Sequence, residues 1–328
     1  MQKTAFVTGG TGFIGINLLK KLVADGWKVT ALRRPTSNLT HLKNLNINWV
    51  VGTLEDRISL EQGMPNDLDA VFHVAGDVNT WKKGYAAQAE TNVAGTRNMV
   101  EVAAIKKAKC FVHTSSISAW GDVRGLTTED TLQRGDISRG NYEKTKWAGE
   151  QEALKGASLG MKVVVMNPSI VIGPYDATSW GGAFIALQND DSPFTPPGTS
   201  CFVHVDEVVK AHIAAVEKGR NGEKYILGGE NVSFKVFMDE ICRLLNKKTP
   251  PVGSVFLFKS LGKVFHLMSV FTNKPPLITP ELADELSRQD YRFSNEKAQR
   301  ELGLQTVPLT ICVKDCYNWL RQEGHLKA

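Results

Sequence analysis

Tyr142-Glu143-Lys144-Thr145-Lys146 sets a phenol and an ammonium four residues apart, which is one turn if the segment is helical. That pair suits carbonyl chemistry. A ketone or aldehyde that gains hydride needs a proton on its oxygen, and a free tyrosine with a pKa of about 10 is a sluggish partner. A nearby ammonium, with the positive charge of an oxidised nicotinamide, favours phenolate and lowers that pKa. Lys146 also has the reach to hydrogen-bond a nicotinamide ribose. A further hydroxyl comes from Ser115 and Ser116, which follow the apolar run Cys110 to Thr114 directly. They stand at the carboxyl end of a strand, where ligands collect in α/β sheets. A serine there can hold a substrate carbonyl in line with the tyrosine; two serines capping a turn are the alternative, and position alone does not choose.

A hydride source needs a cradle, and the chain opens with one. Gly9, Thr11, Gly12, Phe13, Ile14 and Gly15 lie between a short apolar run, Lys3 to Val7, and a helical pattern of Ile14, Leu18, Leu19, Leu22 and Val23 that Gly26 stops. Glycine at 9 permits a tight turn, at 12 the approach of a pyrophosphate, and at 15 close packing of helix on strand. The phosphates then sit at the positive end of the helix. The second apolar run ends at Arg33-Arg34, where a carboxylate would hold the 2′-hydroxyl of NAD. Guanidinium there matches the extra phosphate of NADP, so the expected cofactor is NADP(H).

These groups need a scaffold. Trp27 to Leu32, Asn48 to Val51, Ala70 to Val74, Cys110 to Thr114 and Lys162 to Asn167 read as strands buried on both faces, and helices are expected over about Tyr85 to Lys107 and Asn141 to Leu159. The alternation predicts an α/β fold with a doubly wound parallel sheet. From Pro168 the texture turns loop-rich. Cys201 to Val205 and Lys224 to Leu227 read as further strands, Asp206 as the N-cap of a helix through Val216, and the remainder as mostly helical. We therefore expect a cofactor domain of residues 1–172 and 203–228, interleaved with a smaller substrate domain of residues 173–202 and 229–328. Val255 to Phe271 is strongly apolar but interrupted by Lys259, Lys263 and His266, which makes it a poor membrane span; a packed helix of the small domain is expected, with a lipid-facing amphipathic helix as the alternative.

Together these motifs resemble the extended short-chain dehydrogenase/reductases of the NAD-dependent epimerase/dehydratase superfamily, from Lys3 to about Trp319. Thr8 to Gly15 meet its T-G-x-x-G-F-I-G pattern, His73-Val74-Ala75-Gly76 its H-x-A-G strand end, and Asn92 to Thr96 its N-x-x-G-T helix. The resemblance implies a Rossmann fold, with Val74, Ala75 and Gly76 lining the dinucleotide and Asn92 structural. Ser116 to Gly121 match the stretch that carries the catalytic serine, so the implied triad is Ser116, Tyr142 and Lys146. Thr114 closes the preceding strand beside it. Asn167-Pro168-Ser169 begin the segment that touches the nicotinamide carboxamide in the family, and Thr53-Leu54 stand where it approaches adenine, with Leu54 offering its backbone. Leu32 to Asn38, Phe202 to Asp206 and Tyr225 to Asn231 look most like the dihydroflavonol 4-reductase-like branch. Trp120 departs from the small or tyrosyl residue usual there, and with Trp81 and Trp180 predicts an aromatic-lined pocket.

Composition sets outer bounds. Over 328 residues the chain is 42% hydrophobic and 22% charged, with net charge +5. Its basic residues are scattered, and Lys106, Lys107 and Lys109 suit a helix end rather than a nucleic-acid patch. The five cysteines show no C-x-x-C spacing, and Cys312 and Cys316 share one helix face; the histidines show no ligand spacing, so no metal is expected. His73, His113 and His204 read as core histidines bonded to backbone. A reducing, cytoplasmic setting is the expectation. The reading is an NADPH-dependent reductase of a moderately hydrophobic, small-molecule carbonyl substrate, with a sugar epimerase retaining NAD as the alternative and a non-catalytic dinucleotide sensor as a third. The family resemblance also implies a homodimer through the helices near 85–107 and 142–159.

Overall fold

Runs rich in valine, alanine and phenylalanine alternate with helices in the first two-thirds of the chain, and each run finds a parallel neighbour. The computed structural model describes residues 2–327. In order come β1 (Thr4–Thr8), α1 (Phe13–Ala24), β2 (Lys28–Arg33), β3 (Ile47–Val51), α2 (Arg57–Gly63), β4 (Ala70–His73), α3 (Tyr85–Ala89), α4 (Gly95–Ile105), β5 (Cys110–Thr114), β6 (Gly125–Thr127), α5 (Asn141–Leu154), β7 (Lys162–Pro168) and β8 (Ile170–Ile172). Then follow α6 (Gly182–Gln188), β9 (Thr199–His204), α7 (Val205–Lys218), β10 (Glu223–Leu227), β11 (Glu230–Ser233), α8 (Phe234–Leu245), α9 (Val255–Thr272), α10 (Pro280–Leu286), β12 (Tyr291–Phe293), α11 (Glu296–Leu302) and α12 (Leu309–Gln322).

Seven strands form one parallel sheet in the order β10-β7-β5-β4-β1-β2-β3. Strand order reverses between β1 and β4, so the crevice for a ligand opens at their carboxyl ends. The pleat explains why the strands are apolar throughout. Ala5, Val7, Phe72 and Val112 face α1 and α7 on one side, whereas Phe6, Val71 and Phe111 face α4 and α5 on the other. The fold is therefore the doubly wound Rossmann sheet expected. A second, three-stranded sheet, β11-β9-β8, carries the remaining helices, packed around Phe202, Phe234, Phe237, Cys312 and Cys316. β8 thus joins the second sheet although it lies before residue 173. α1 ends as anticipated at Gly26, whose φ of +79° lets Trp27 N–H reach the Leu22 carbonyl at 3.0 Å.

Three local expectations fail for identifiable reasons. The helix beginning at Tyr85 is interrupted by a π-helical turn over Glu90–Ala94, between α3 and α4. The extra residue turns Asn92 inward, where its amide receives Asp77 N–H at 2.7 Å and donates to the Asp77 carbonyl and the Thr145 hydroxyl. The N-cap of α7 is His204, not Asp206: its Nδ1 receives Asp206 N–H at 3.1 Å. Asp206 lies inside the first turn, where an acid still favours the helix dipole. Finally, α9 is a helix as expected but packs on the small domain by one narrow face alone, burying Phe258, Gly262 and Ser269 and leaving most of its apolar surface outside the core.

Candidate active site

The carboxyl ends of β1, β4, β5 and β7, neighbours in the sheet, bring Gly9, Gly76, Ser116 and Asn167 to one edge. At the first of these the backbone is built for close approach. Gly9 has φ +70° and lies so near Ala75 that a Cβ would fall 2.5 Å from its N, while a Cβ on Gly15 would fall 2.0 Å from the Gly9 carbonyl. Gly12 caps α1 with no side-chain partner, and the first turn, which includes Phe13, Ile14 and Gly15, holds no acid. The helix therefore presents an uncompensated positive end, and Thr11 stands beside it. At the end of β2, Arg33 Nε is buried with no partner, and among the described residues neither Arg33 nor Arg34 pairs with a carboxylate. A cradle that only glycine fits and an open helix end are what the pyrophosphate of a nicotinamide dinucleotide requires, so these residues fit such a cofactor.

Other residues implied at the cofactor site divide into those with surface to offer and those without. Val74 and Ala75 N–H groups are held against Thr8, at 3.3 and 3.4 Å, beneath the glycine turn. Thr53 and Leu54 follow β3, but the Leu54 side chain belongs to the core and its carbonyl accepts from Asn98 Nδ2 at 2.9 Å. Asn167 is fully buried and does a different job: its Nδ2 donates to the Ser116 carbonyl at 3.0 Å and to Glu150. Pro168 and Ser169 are buried beside it.

The catalytic candidates converge. β5 and the bend after it alternate side chains, which leaves Ser115 Oγ buried without a partner and turns Ser116 toward the open edge. Ser116 Oγ receives Ser118 N–H at 3.1 Å and donates to Ser118 Oγ. The choice that position left open thus falls on Ser116, which neighbours the Tyr142 phenol. Tyr142 stands in the first turn of α5 and Lys146 one turn on, its Nζ donating to the Thr114 carbonyl at 2.8 Å. Burial pushes the Tyr142 phenol up to about 12, with Ser116 pulling the other way, and pushes Lys146 down to about 8, opposed by Glu150. In the protein alone, therefore, desolvation raises the phenol with help from the Glu285, Asp77 and Glu281 charges, and the opposing pull comes from Ser116 rather than from the ammonium that the spacing predicts.

Beneath these groups lie neutral histidines. His73 bonds the hydroxyls of Thr8 and Thr96 rather than backbone, and burial takes its pKa to about 3. His113 stacks on it with neither nitrogen bonded, and burial with the Lys146 charge drives its pKa well down. His212 donates from Nδ1 to the Val208 carbonyl, so its Nε2 receives the Thr114 hydroxyl at 2.8 Å. The expected aromatic pocket does not form from three tryptophans. Trp120 is fully buried against Phe293 with its indole N–H on the Thr131 carbonyl, and Trp180 stacks on Phe234 in the small-domain core. Trp81 lines a cavity of about 130 Å³ with Thr80, Tyr85, His266 and Thr279.

One functional group escaped the sequence reading. Glu281, in the first turn of α10, receives Tyr142 N–H on one oxygen and the Tyr85 hydroxyl on the other, both at 2.9 Å. α5 has no cap of its own, because Gly140 precedes it. Arg288 adds an ion pair to Glu143, the next residue of α5. The small domain thus holds the helix that carries the tyrosine. No spacing announces this; Thr279-Pro280-Glu281 reads only as the start of a helix.

The sequence profile of the NAD dependent epimerase/dehydratase family matches residues 5–228. A Synechocystis protein named "Putative dihydroflavonol 4-reductase" is 31% identical, over 100% of this chain and 97% of its own length. The sterol demethylase protein B of Methylococcus capsulatus is 27% identical, over 98% of this chain and 99% of its own. Among solved structures, that of gox2253 superposes with a TM-score of 0.85 at 29% identity, covering 99% of this chain and all of that one.

Proposed function

The chain belongs to the NAD dependent epimerase/dehydratase family, and from that premise we propose that it is an NADPH-dependent reductase of a ketone or aldehyde on a moderately hydrophobic substrate. The observation that carries the reading is the juxtaposition of Ser116 with Tyr142, and of Lys146 with Thr114, at the carboxyl edge beside the glycine cradle. A bound nicotinamide dinucleotide supplies hydride to the carbonyl carbon. Ser116 orients the carbonyl oxygen by hydrogen bonding, and Tyr142 gives that oxygen its proton. With its phenol near 12, Tyr142 is held as the acid, which suits the reducing direction. Lys146, held by the Thr114 carbonyl one turn from Tyr142, would hold a ribose hydroxyl of the cofactor. Arg33 and Arg34 at the end of β2, neither of them paired with a carboxylate among the described residues, support NADP over NAD. The reductase and sterol protein names among the relatives support a substrate with apolar surface.

The test is NADPH oxidation against a panel of aromatic aldehydes, flavanonols, β-keto esters and nucleotide sugars, repeated with NADH. Tyr142→Phe is expected to lower kcat by about 100-fold or more while NADPH still binds. Arg33→Asp is expected to remove the preference for NADPH over NADH. Full activity in Tyr142→Phe overturns the mechanism. Tightly held NAD with no net NADPH consumption on any carbonyl returns the reading to a sugar epimerase.

A further inference from the structure

α9 carries its apolar residues on the side where no protein lies. Phe256 is 82% exposed, Leu267 60%, Phe271 81%, and Leu277 just beyond the helix 82%. Positions 256, 260, 263, 267 and 271 share one stripe, directly opposite the buried Phe258, Gly262 and Ser269. Val264, Met268 and Val270 flank it, each more than half exposed. A helix apolar all round belongs in a core or against lipid, and this one is half outside the core.

Charge indicates the occupant. From Val255 through Thr279 there is no aspartate or glutamate, whereas Lys259, Lys263 and Lys274 punctuate the stretch. Lys83 joins them by bonding Asn273 at the end of the helix, with Lys82 beside it. Lys259 is paired with Asp284; Lys263 and Lys274 have no carboxylate partner among the described residues. An isologous dimer through this face would bury a lysine-bearing surface against a copy of itself that has no carboxylate between Val255 and Thr279 to pair with it. Spanning is excluded by attachment: at mid-helix Gly262 packs on Ala283, Pro280 and Thr279 so closely that a Cβ would fall within 2.9 Å of the Ala283 side chain. A largely apolar stripe that carries Lys263 within it, whose long stem can lift its ammonium to the headgroups, with Lys274 just beyond the helix end and the helix tethered at its middle, is the form of a helix that lies in a bilayer interface.

We propose that α9 docks this protein on an anionic lipid bilayer, Phe256, Leu267 and Phe271 entering the acyl boundary and Lys263 and Lys274 meeting the headgroups. Its buried face rests on α10, whose Glu281 holds Tyr142. The membrane face is therefore one helix away from the catalytic edge.

Flotation of the full chain with vesicles of phosphatidylcholine alone, or with added phosphatidylglycerol, tests the proposal. Binding is expected only to the anionic vesicles, falling with salt. Phe256→Ser/Leu267→Ser/Phe271→Ser and, separately, Lys263→Glu/Lys274→Glu are each expected to reduce the bound fraction about tenfold. Both sets are solvent-facing, and unchanged thermal unfolding and NADPH binding show the variants folded. Absence of binding by the wild type overturns the proposal, as does retention by both folded variants. A wild-type dimer in light scattering that the triple serine variant dissociates also overturns it, by assigning the face to a second copy.

Discussion

Glu281→Ala isolates the contribution of the small domain to the reacting tyrosine. The substitution removes the acceptor for Tyr142 N–H and for the Tyr85 hydroxyl, and leaves α5 without any N-terminal cap. A hydrogen bond to a charged acceptor contributes about 1.5–3 kcal/mol, and loss of an N-cap costs about 1 kcal/mol. Glu281 is half-buried, so water recovers part of this and the lower end applies, about 1.5 kcal/mol for the Tyr142 contact. Because Tyr142 lies in the turn that frays, that energy acts on the population of enzyme with its phenol in place. About 1.4 kcal/mol corresponds to tenfold, so kcat is expected to fall about tenfold while NADPH affinity, set at the far glycine turn, stays within about twofold. Glu281→Gln keeps a neutral acceptor and is expected to cost about threefold. Tyr85→Phe removes only the second contact and serves as the control, with kcat close to wild type. The assay is stopped-flow NADPH oxidation on the best carbonyl of the panel, paired with amide hydrogen exchange at the start of α5. Wild-type kcat in Glu281→Ala, with exchange at Tyr142 unchanged, refutes the capping role.

Two further outcomes follow from the same geometry. Gly15→Ala places a methyl 2.0 Å from the Gly9 carbonyl, so the glycine turn must open, and NADPH binding followed by fluorescence should weaken by more than about 100-fold. Lys146, buried and held near 8, titrates far below an unfolded lysine. Between about pH 8 and 10.4 the unfolded chain binds a proton that the folded chain lacks, so this group adds stability as pH rises. Lys146→Met lacks the contribution. Urea unfolding should show its stability advantage over wild type shrinking by up to about 3 kcal/mol across that range, whereas a constant difference contradicts the buried ammonium.

The sheet was legible because its strands are buried on both faces and announce themselves as unbroken apolar runs; Cys110–Thr114 is predicted to the residue. Boundaries slipped where a side chain took over a backbone role, as when His204 capped α7 in place of Asp206. The tryptophans misled because a large aromatic serves a core as well as a pocket, and only the position of Phe293 and Phe234 against Trp120 and Trp180 separates the two uses. Periodicity shows that α9 is a helix and is apolar. It carries no information on which face another element covers.

The amino-acid sequence by itself determined the glycine turn, the Tyr142–Lys146 spacing and Arg33 at the end of β2, because each is a local arrangement within one strand–helix unit. Tertiary structure alone decided that Ser116 rather than Ser115 meets Tyr142, that Glu281 from a helix 139 residues away caps α5, and that the apolar stripe of α9 faces outward. Those depend on how separate elements pack, and packing is a property of pairs of surfaces that no single segment encodes.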